Sequence, residues 1–306
     1  MANRTMSSTA PAIDESRIHE AVRPAQTRHL VTKRGQRIVL YATLVILSVI
    51  FLMPLVWLIT TSLKSQGEVF AHPPVWLPET LRWENYQDAV NRAPLWTWLR
   101  NTATVAVLAV IGNVLTSSLV AYGFARLEFP FKGPLFILLL STMMLPDVIL
   151  LVPQFILFRQ FGWIDTLLPL VVPPFFGGGA FNIFLVRQFY LTIPRDFDDA
   201  ARLDGASNWQ IWRQIMLPLS APALTAVAIF SFVHHWNDFM GPLIYLQSED
   251  KKTLALGLRA FISPTDASWN ISMAASMFLV VPVLVIFFFG QRYFIRGVAM
   301  TGITGR

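Results

Sequence analysis

Few residues in this 306-residue chain are of a type and spacing that could do chemistry. Asp147 stands in "MMLPDVILLVP", and His234, His235 and Asp238 stand together in "FVHHWNDFMGPL". Three carboxylates, Asp196, Asp198 and Asp199, open "PRDFDDAARLDGASNWQIWRQIMLPLSAP". Clustered carboxylates do acid/base work only when their surroundings hold one pKa high and leave another low. Here they lie in a polar stretch with no hydrophobic pocket in view. For the two histidines no His, Cys or carboxylate besides Asp238 lies at metal-ligand spacing, and His72 is far away in the chain, so no metal site is expected. Cysteine is absent altogether, which excludes disulfides and thiolate ligands. The phosphate loop G-x-x-x-x-G-K-[ST], the zinc motif H-E-x-x-H and the nucleophile elbow G-x-S-x-G do not occur. The chain therefore shows no means of hydrolysing a nucleotide or a glycosidic bond, and energy for any work must come from elsewhere.

The elements that must position these residues are apolar. Hydrophobic residues make up 54% and charged residues 14% of the chain, against a globular norm of about 25% charged; the mean hydropathy is +0.52. A hydrocarbon core about 30 Å thick needs roughly 20 apolar residues per helix. Six runs qualify, at about 38–62, 99–124, 134–157, 166–189, 219–246 and 270–291. An even number places both ends on one side. Lys and Arg concentrate on cytoplasmic loops, and with the N-terminus inside, the inner segments hold fifteen of them against seven in the outer loops. The expected fold is an all-α membrane protein with six transmembrane helices and cytoplasmic N- and C-termini. Residues 1–35, polar and poor in aromatics, read as a mobile cytoplasmic tail, and 36–306 as the transmembrane domain. The first apolar run follows that tail, is too long for a signal peptide and is read as retained. The net charge of +6 is accounted for by this topology; with no basic patch interleaved with aromatics, no nucleic-acid partner is expected.

Within the spans, "MMLPDVILLVP" and "LLPLVVPPFFGGGAFNIFLVRQF" are broken by Pro and Gly. Interrupted backbone at membrane depth is tolerated where it is buried in protein or lines a wet cavity. Asp147 and Asp238 are intramembrane carboxylates and hence functional candidates. Trp236, Asn237 and Asp238 offer an aromatic face, an amide and a carboxylate suited to a sugar in a pathway; capping and packing between spans is the other reading of the same three. In the loop after the first span, Trp76, Trp83, Trp96 and Trp98 suit a membrane interface or a docking surface.

The stretch from Pro194 is a polar elbow between two spans. Pro194 suits a first helical position, Asp196, Asp198 and Asp199 complement the positive end of the helix dipole, and Gly205 closes a helix of about ten residues. Ala200 and Ala201 give that helix a small-residue surface. A second short helix begins near Ser207, with Trp209, Trp212 and Ile215 three apart on one face. Pro218 and Pro222 then turn the chain into the fifth span. Two capped helices with a glycine corner form a narrow, rigid projection that suits a cleft in a partner.

These residues resemble the EAA loop of permease subunits of ATP-binding-cassette importers. Asp199, Ala200 and Ala201 stand at E-A-A, Gly205 at the glycine, and Ile215, Leu217 and Pro218 at I-x-L-P; Asp for Glu at 199 keeps the charge and shortens the reach. "FARLEFPFKG", "MMLP", "WNDF" and the tail "RGVAMTGITGR", with Gly297, Gly302 and Gly305, are similar to the carbohydrate group of these permeases, the maltose-transporter type. The resemblance implies the type I importer permease fold in a prokaryotic cell membrane, and a loop at 190–218 that couples to the ATPase through Asp198, Asp199, Ala200, Ala201, Asp204, Gly205, Ile215, Leu217 and Pro218. It implies as partners a second, similar permease, two cytoplasmic ATPase subunits that bind ATP and Mg, and an extracytoplasmic solute-binding protein touching the loop from Gln247 to about Trp269. No cofactor is implied in this chain. The implied solute is a sugar or oligosaccharide. A glycerol-phosphate or other polar solute is the alternative, although no cluster of intramembrane Arg or Lys awaits a phosphate. An autonomous secondary transporter would show an inverted repeat, and none is visible; a membrane-embedded enzyme lacks its catalytic constellation.

Overall fold

The structure, a computed structural model, describes the backbone of residues 15–262 and 268–301, and the side chains there except at 15–34, 147 and 291–301. The start of the expected tail, the side chain of Asp147, part of the 247–269 loop, and Gly302 and Gly305 thus lie outside the described residues. Every regular element among the described residues is a helix. The chain divides into two units, residues 1–57 and 58–306. The first holds most of α1 (Glu15–Ser62), whose part from Gly35 to Ser62 is long and apolar enough to cross a membrane.

The second unit contains α2 (Glu84–Arg92), α3 (Leu95–Arg126), α4 (Lys132–Ser141), α5 (Asp147–Gln160), α6 (Ala180–Thr192), α7 (Asp196–Leu203), α8 (Ala221–Trp236) and α9 (Trp269–Thr301). Four segments of the chain could each cross a membrane: α1, α3, the stretch Leu168–Thr192 that ends in α6, and α9 to Gly290. Two bent pairs, α4 with α5 and Asn208–Leu219 with α8, bring the number to six where each pair is taken as one span.

The bends have identifiable causes. Between α4 and α5, Leu145 is extended at φ −81°, ψ 120°, the conformation that a following proline, here Pro146, imposes. The expected fifth span, through residue 246, ends instead at Trp236. There the Asn237 side chain donates to the Val233 carbonyl at 2.8 Å, and Asp238 Oδ1 accepts from the Gly241 N–H at 3.2 Å. Both side chains compete with the helical ladder, and a separate short helix, Met240–Tyr245, follows. In the fourth span, Leu168–Val171 and a turn at Pro173–Phe175 precede α6. The join passes through Gly178 at φ 60° and Gly179 at φ 77°. A Cβ on Gly178 would lie 2.6 Å from the Ser117 backbone nitrogen of α3, so both the backbone conformation and the close approach require glycine. The broken backbone is satisfied internally: Thr116 donates to the Pro174 carbonyl at 3.0 Å and Asn182 to the Gly178 carbonyl at 2.7 Å.

The core is built around α3, which packs along α6 and α8, while α8 and α2 pack on α9. Small residues permit the close approach between helices: Ala106, Ala109, Ser117, Ser118, Ala121 and Ala125 of α3 are all buried. One apolar cluster gathers Ala121, Tyr122, Ile183, Val186, Tyr190, Ile211 and Met216 at the Arg126 end of α3. Another gathers Ala89, Leu95, Trp98, Leu254 and Ile271 at the opposite end. Trp98 is therefore a core residue and does not belong to an interfacial belt; Trp76, Trp83 and Trp96 stay exposed.

Candidate functional site

The elbow forms as its sequence dictates, with corrections in detail. α7 starts at Asp196, not Pro194, and has eight residues, with Asp196, Asp198 and Asp199 in its first turn. Its end is capped: the Gly205 N–H donates to Arg202 at 3.0 Å and the Ala206 N–H to Ala201 at 2.9 Å. These two bonds make a Schellman motif, which needs a left-handed residue at its corner, and Gly205 supplies it at φ 82°.

The carboxylates that look alike in sequence separate in space. Asp198 turns inward and pairs with Arg126, Nε to Oδ2 3.0 Å, with the two side chains 3% and 4% exposed. The same guanidinium donates through Nη2 to the Ile193 carbonyl at 2.7 Å. Asp198 is thus not offered to a partner. Ala201 is likewise buried, against the cluster of Tyr122 and Ile211, so the small-residue surface reduces to Ala200. Besides Asp196 and Phe197 in its first turn, α7 and its corner present outward Asp199, Ala200, Arg202, Leu203, Asp204 and Gly205. Asp199 and Arg202 lie 3.8 Å apart, both largely exposed, a geometry that contributes little by itself. Leu203 is 90% exposed; a leucine between Arg202 and Asp204 carries no signal in sequence, and only its orientation marks it.

The second arm opens with a capping box. Ser207 Oγ accepts from the Gln210 N–H at 3.4 Å, and Gln210 Oε1 accepts from the Ser207 N–H at 2.7 Å. After Asn208–Ile211 the backbone makes a π turn over Trp212–Met216 and a last short turn, Leu217–Leu219. The wider π repeat shifts the buried face: Ile211, Trp212 and Met216 are buried, so that of Trp209, Trp212 and Ile215 only Trp212 is fully buried. Trp209 is 56% exposed, its ring centroid 4.6 Å from that of Trp212. Ile215 and Leu217 pack partly against the core, and Pro218 is exposed.

The other candidates are held by their own surroundings. Trp236 is 4% exposed, donates its indole N–H to the Leu279 carbonyl at 2.9 Å and stacks on Phe232. Asn237 caps the end of α8 and Asp238 the start of Met240–Tyr245, and of the three only Asn237 is exposed. Deeper in the bundle lies a polar contact that sequence reading missed. Asn113 of α3 donates to Ser231 at 2.6 Å and lies 3.2 Å from His235 Nε2. Its signal is the run Asn113, Thr116, Ser117 on one helical face. No cluster of three metal-ligating side chains occurs among the described residues.

At the end of α3 remote from the elbow, side chains of one helix hold the backbone of another segment. Trp98 donates to the Glu249 carbonyl, and Asn101 to the Asp250 and Lys252 carbonyls, each at 2.9 Å; Thr102 Oγ1 accepts from the Leu254 N–H at 2.8 Å.

These features define a multi-pass helical membrane protein with interrupted spans and a capped polar elbow between two of them. Residues 113–300 match the family described as binding-protein-dependent transport system inner membrane component, and the chain belongs to that family. It is 34% identical to the arabinooligosaccharides transport system permease protein AraQ of Halalkalibacterium halodurans, over 84% of this chain and 92% of that protein. It is 30% identical to the sn-glycerol-3-phosphate transport system permease protein UgpE of Rhizobium meliloti, over 84% and 94%. In the crystal structure of a bacterial ABC transporter involved in the import of the acidic polysaccharide alginate, one chain shares the fold at a TM-score of 0.76 and 23% identity, over 86% of this chain and 98% of that one.

Proposed function

We propose that this chain is the permease subunit of an ATP-binding-cassette importer for a sugar or oligosaccharide, itself non-catalytic, in the cytoplasmic membrane with both termini inside. A second permease completes the pathway, a solute-binding protein delivers from outside, and two ATPase subunits, which bind ATP and Mg, dock on the elbow. The observation that carries this reading is the elbow itself: a helix capped at its exit, cornered at Gly205 and presenting Asp199, Ala200, Leu203 and Asp204, in a chain without a phosphate loop. Ile215, Leu217 and Pro218 support it from below. Closure of the ATPases moves α7, and the spans exchange inward-open for outward-open; only a difference in binding between the two states drives such a switch.

The sugar assignment is supported by the arabinooligosaccharide relative. The glycerol-phosphate relative favours a second reading, which would need a cation for the phosphate. Arg187, an intramembrane arginine in α6, is instead engaged with the Phe124 carbonyl at 3.2 Å and lies 4.2 Å from the Phe136 ring. Trp236, Asn237 and Asp238 shape the pathway only at its wall, with Asn237 the group open to a solute.

In proteoliposomes containing the assembled importer, Gly205→Val should keep the complex together and uncouple ATP hydrolysis from uptake. A β-branched residue at φ 82° carries a strain of about 1–3 kcal/mol and no neighbouring atom obstructs it, so the damage stays at the corner. Normal uptake per ATP by this variant would sink the assignment, and uptake of labelled glycerol phosphate in place of arabinose oligomers would select the second reading.

A further inference from the structure

α7 is joined to the spans by two weak covalent links. On one side Ile193 is extended at φ −78°, ψ 128° before Pro194; on the other the chain passes through the π turn Trp212–Met216 and a 78° bend. If these links alone connected it, a push on α7 would be absorbed by local bending. The buried pair Arg126–Asp198 bypasses them. One planar guanidinium holds the carboxylate of α7 at 3.0 Å and, at 2.7 Å, the carbonyl of Ile193 that precedes it. The contact with Asp198 is a buried ion pair and the contact with Ile193 a charge-assisted hydrogen bond, so one side chain ties α7 and the residue before it to the end of α3.

Arg126 is the last residue of α3. The spans that contain α6 and α8, which also adjoin the elbow, are interrupted by the Gly178–Gly179 break before α6 and by the bend before α8. α3 is one unbroken helix of 32 residues, about 48 Å long at 1.5 Å per residue. Its far end grips the 249–257 segment through Trp98, Asn101 and Thr102. The Trp98 ring also lies flush on Gly257, where a Cβ would come within 2.2 Å.

We propose that Arg126 and Asp198 form the joint through which α7 displaces α3, and that α3 acts as a rod carrying that displacement to the 249–257 segment on the outer side. The proposal rests on the reading of α7 as the segment the ATPases move. It makes Arg126 a positioning residue that touches no partner. It also gives the outer segment, on which a delivering protein would dock, a direct mechanical line to the elbow.

The chain has no Cys, so spin labels can be placed at Asp196→Cys on α7 and Glu128→Cys just beyond α3, both exposed, in the otherwise unmodified full-length protein. The distance distribution should be narrow, broaden in Arg126→Gln and narrow again in part in Arg126→Lys, which keeps the charge without the fork. An unchanged distribution in Arg126→Gln would overturn the joint. In the assembled importer, hydrogen exchange of the 249–257 peptide should change when a non-hydrolysable ATP analogue binds, and Arg126→Gln should abolish that change. Uptake per ATP should fall by at least about five-fold, the lower end of coupling between sites. Persistence of the nucleotide-dependent exchange in the variant, or its absence in the unmodified complex, would overturn the rod. Failure of ATPase subunits to bind the unmodified chain would sink the functional reading instead, and the distance measurement on the isolated chain would still decide the joint.

Discussion

Asp165 shows how one side chain can fix a loop on the far side of the bundle. Its backbone is left-handed at φ 60°, which Asp tolerates better than most residues, and its own N–H donates to the Tyr245 carbonyl at 2.8 Å. Its carboxylate accepts from the Ser248 hydroxyl and from the N–H groups of Ser248 and Gln247, the last two at 2.8 Å. The Ser248 hydroxyl first, then the two amides, hold the Asp165 pKa below its ordinary 3.8. A depressed carboxylate pKa contributes stability that is fully present above the unfolded value and is lost as pH falls through the folded one. Asp165→Asn should therefore lower the unfolding temperature in detergent by a few degrees, steadily at all pH above about 5. Below pH 3.8 the gap between the two proteins should close. A gap that persists undiminished at pH 3 would refute the clamp. At this scale sequence alone is weakest. Asp198 and Asp199 are chemically identical neighbours, and one is buried against Arg126 while the other faces outward.

Among the elements, the fourth span depends most on its sequence. Its break is legible in "PPFFGGG", because proline removes a donor and glycine admits positive φ. Its placement is not legible, because Gly178 sits where it does only through contact with Thr116 and Ser117 of α3. Gly178→Ala should destabilise the protein by about 1–3 kcal/mol through overpacking, with further strain from φ 60°. Gly177→Ala, with nothing within 4 Å of its Cβ, should be tolerated. Thermal unfolding of the two variants side by side checks this, and equal stability would contradict the close approach. The same contrast holds for the second arm of the elbow. The Ser207 cap is readable from its Gln210 partner three residues on, whereas the π turn that exchanges Ile215 for Ile211 and Met216 on the buried face has no local signature.

For the whole molecule, the absence of a phosphate loop becomes a testable dependence on partners. Purified alone into liposomes, the chain should neither hydrolyse ATP nor pass oligosaccharides; both activities should appear only on adding the second permease, the ATPase subunits and the binding protein. Solute flux through the chain by itself would return it to the class of autonomous transporters. The sequence by itself determined the six apolar runs, the proline and glycine breaks, and the capped elbow with its glycine corner. Apolar length, dihedral restriction and capping act over a few neighbouring residues, so they can be read along the chain. Only the tertiary structure decided that Asp198 is an anchor and not a contact, that Trp98 is core, and that Trp236 is packed against α9. Those outcomes depend on partners distant in the chain, such as Trp98 and Glu249 at a separation of 151 residues, and a buried charge or indole N–H takes whichever partner the packing brings within reach.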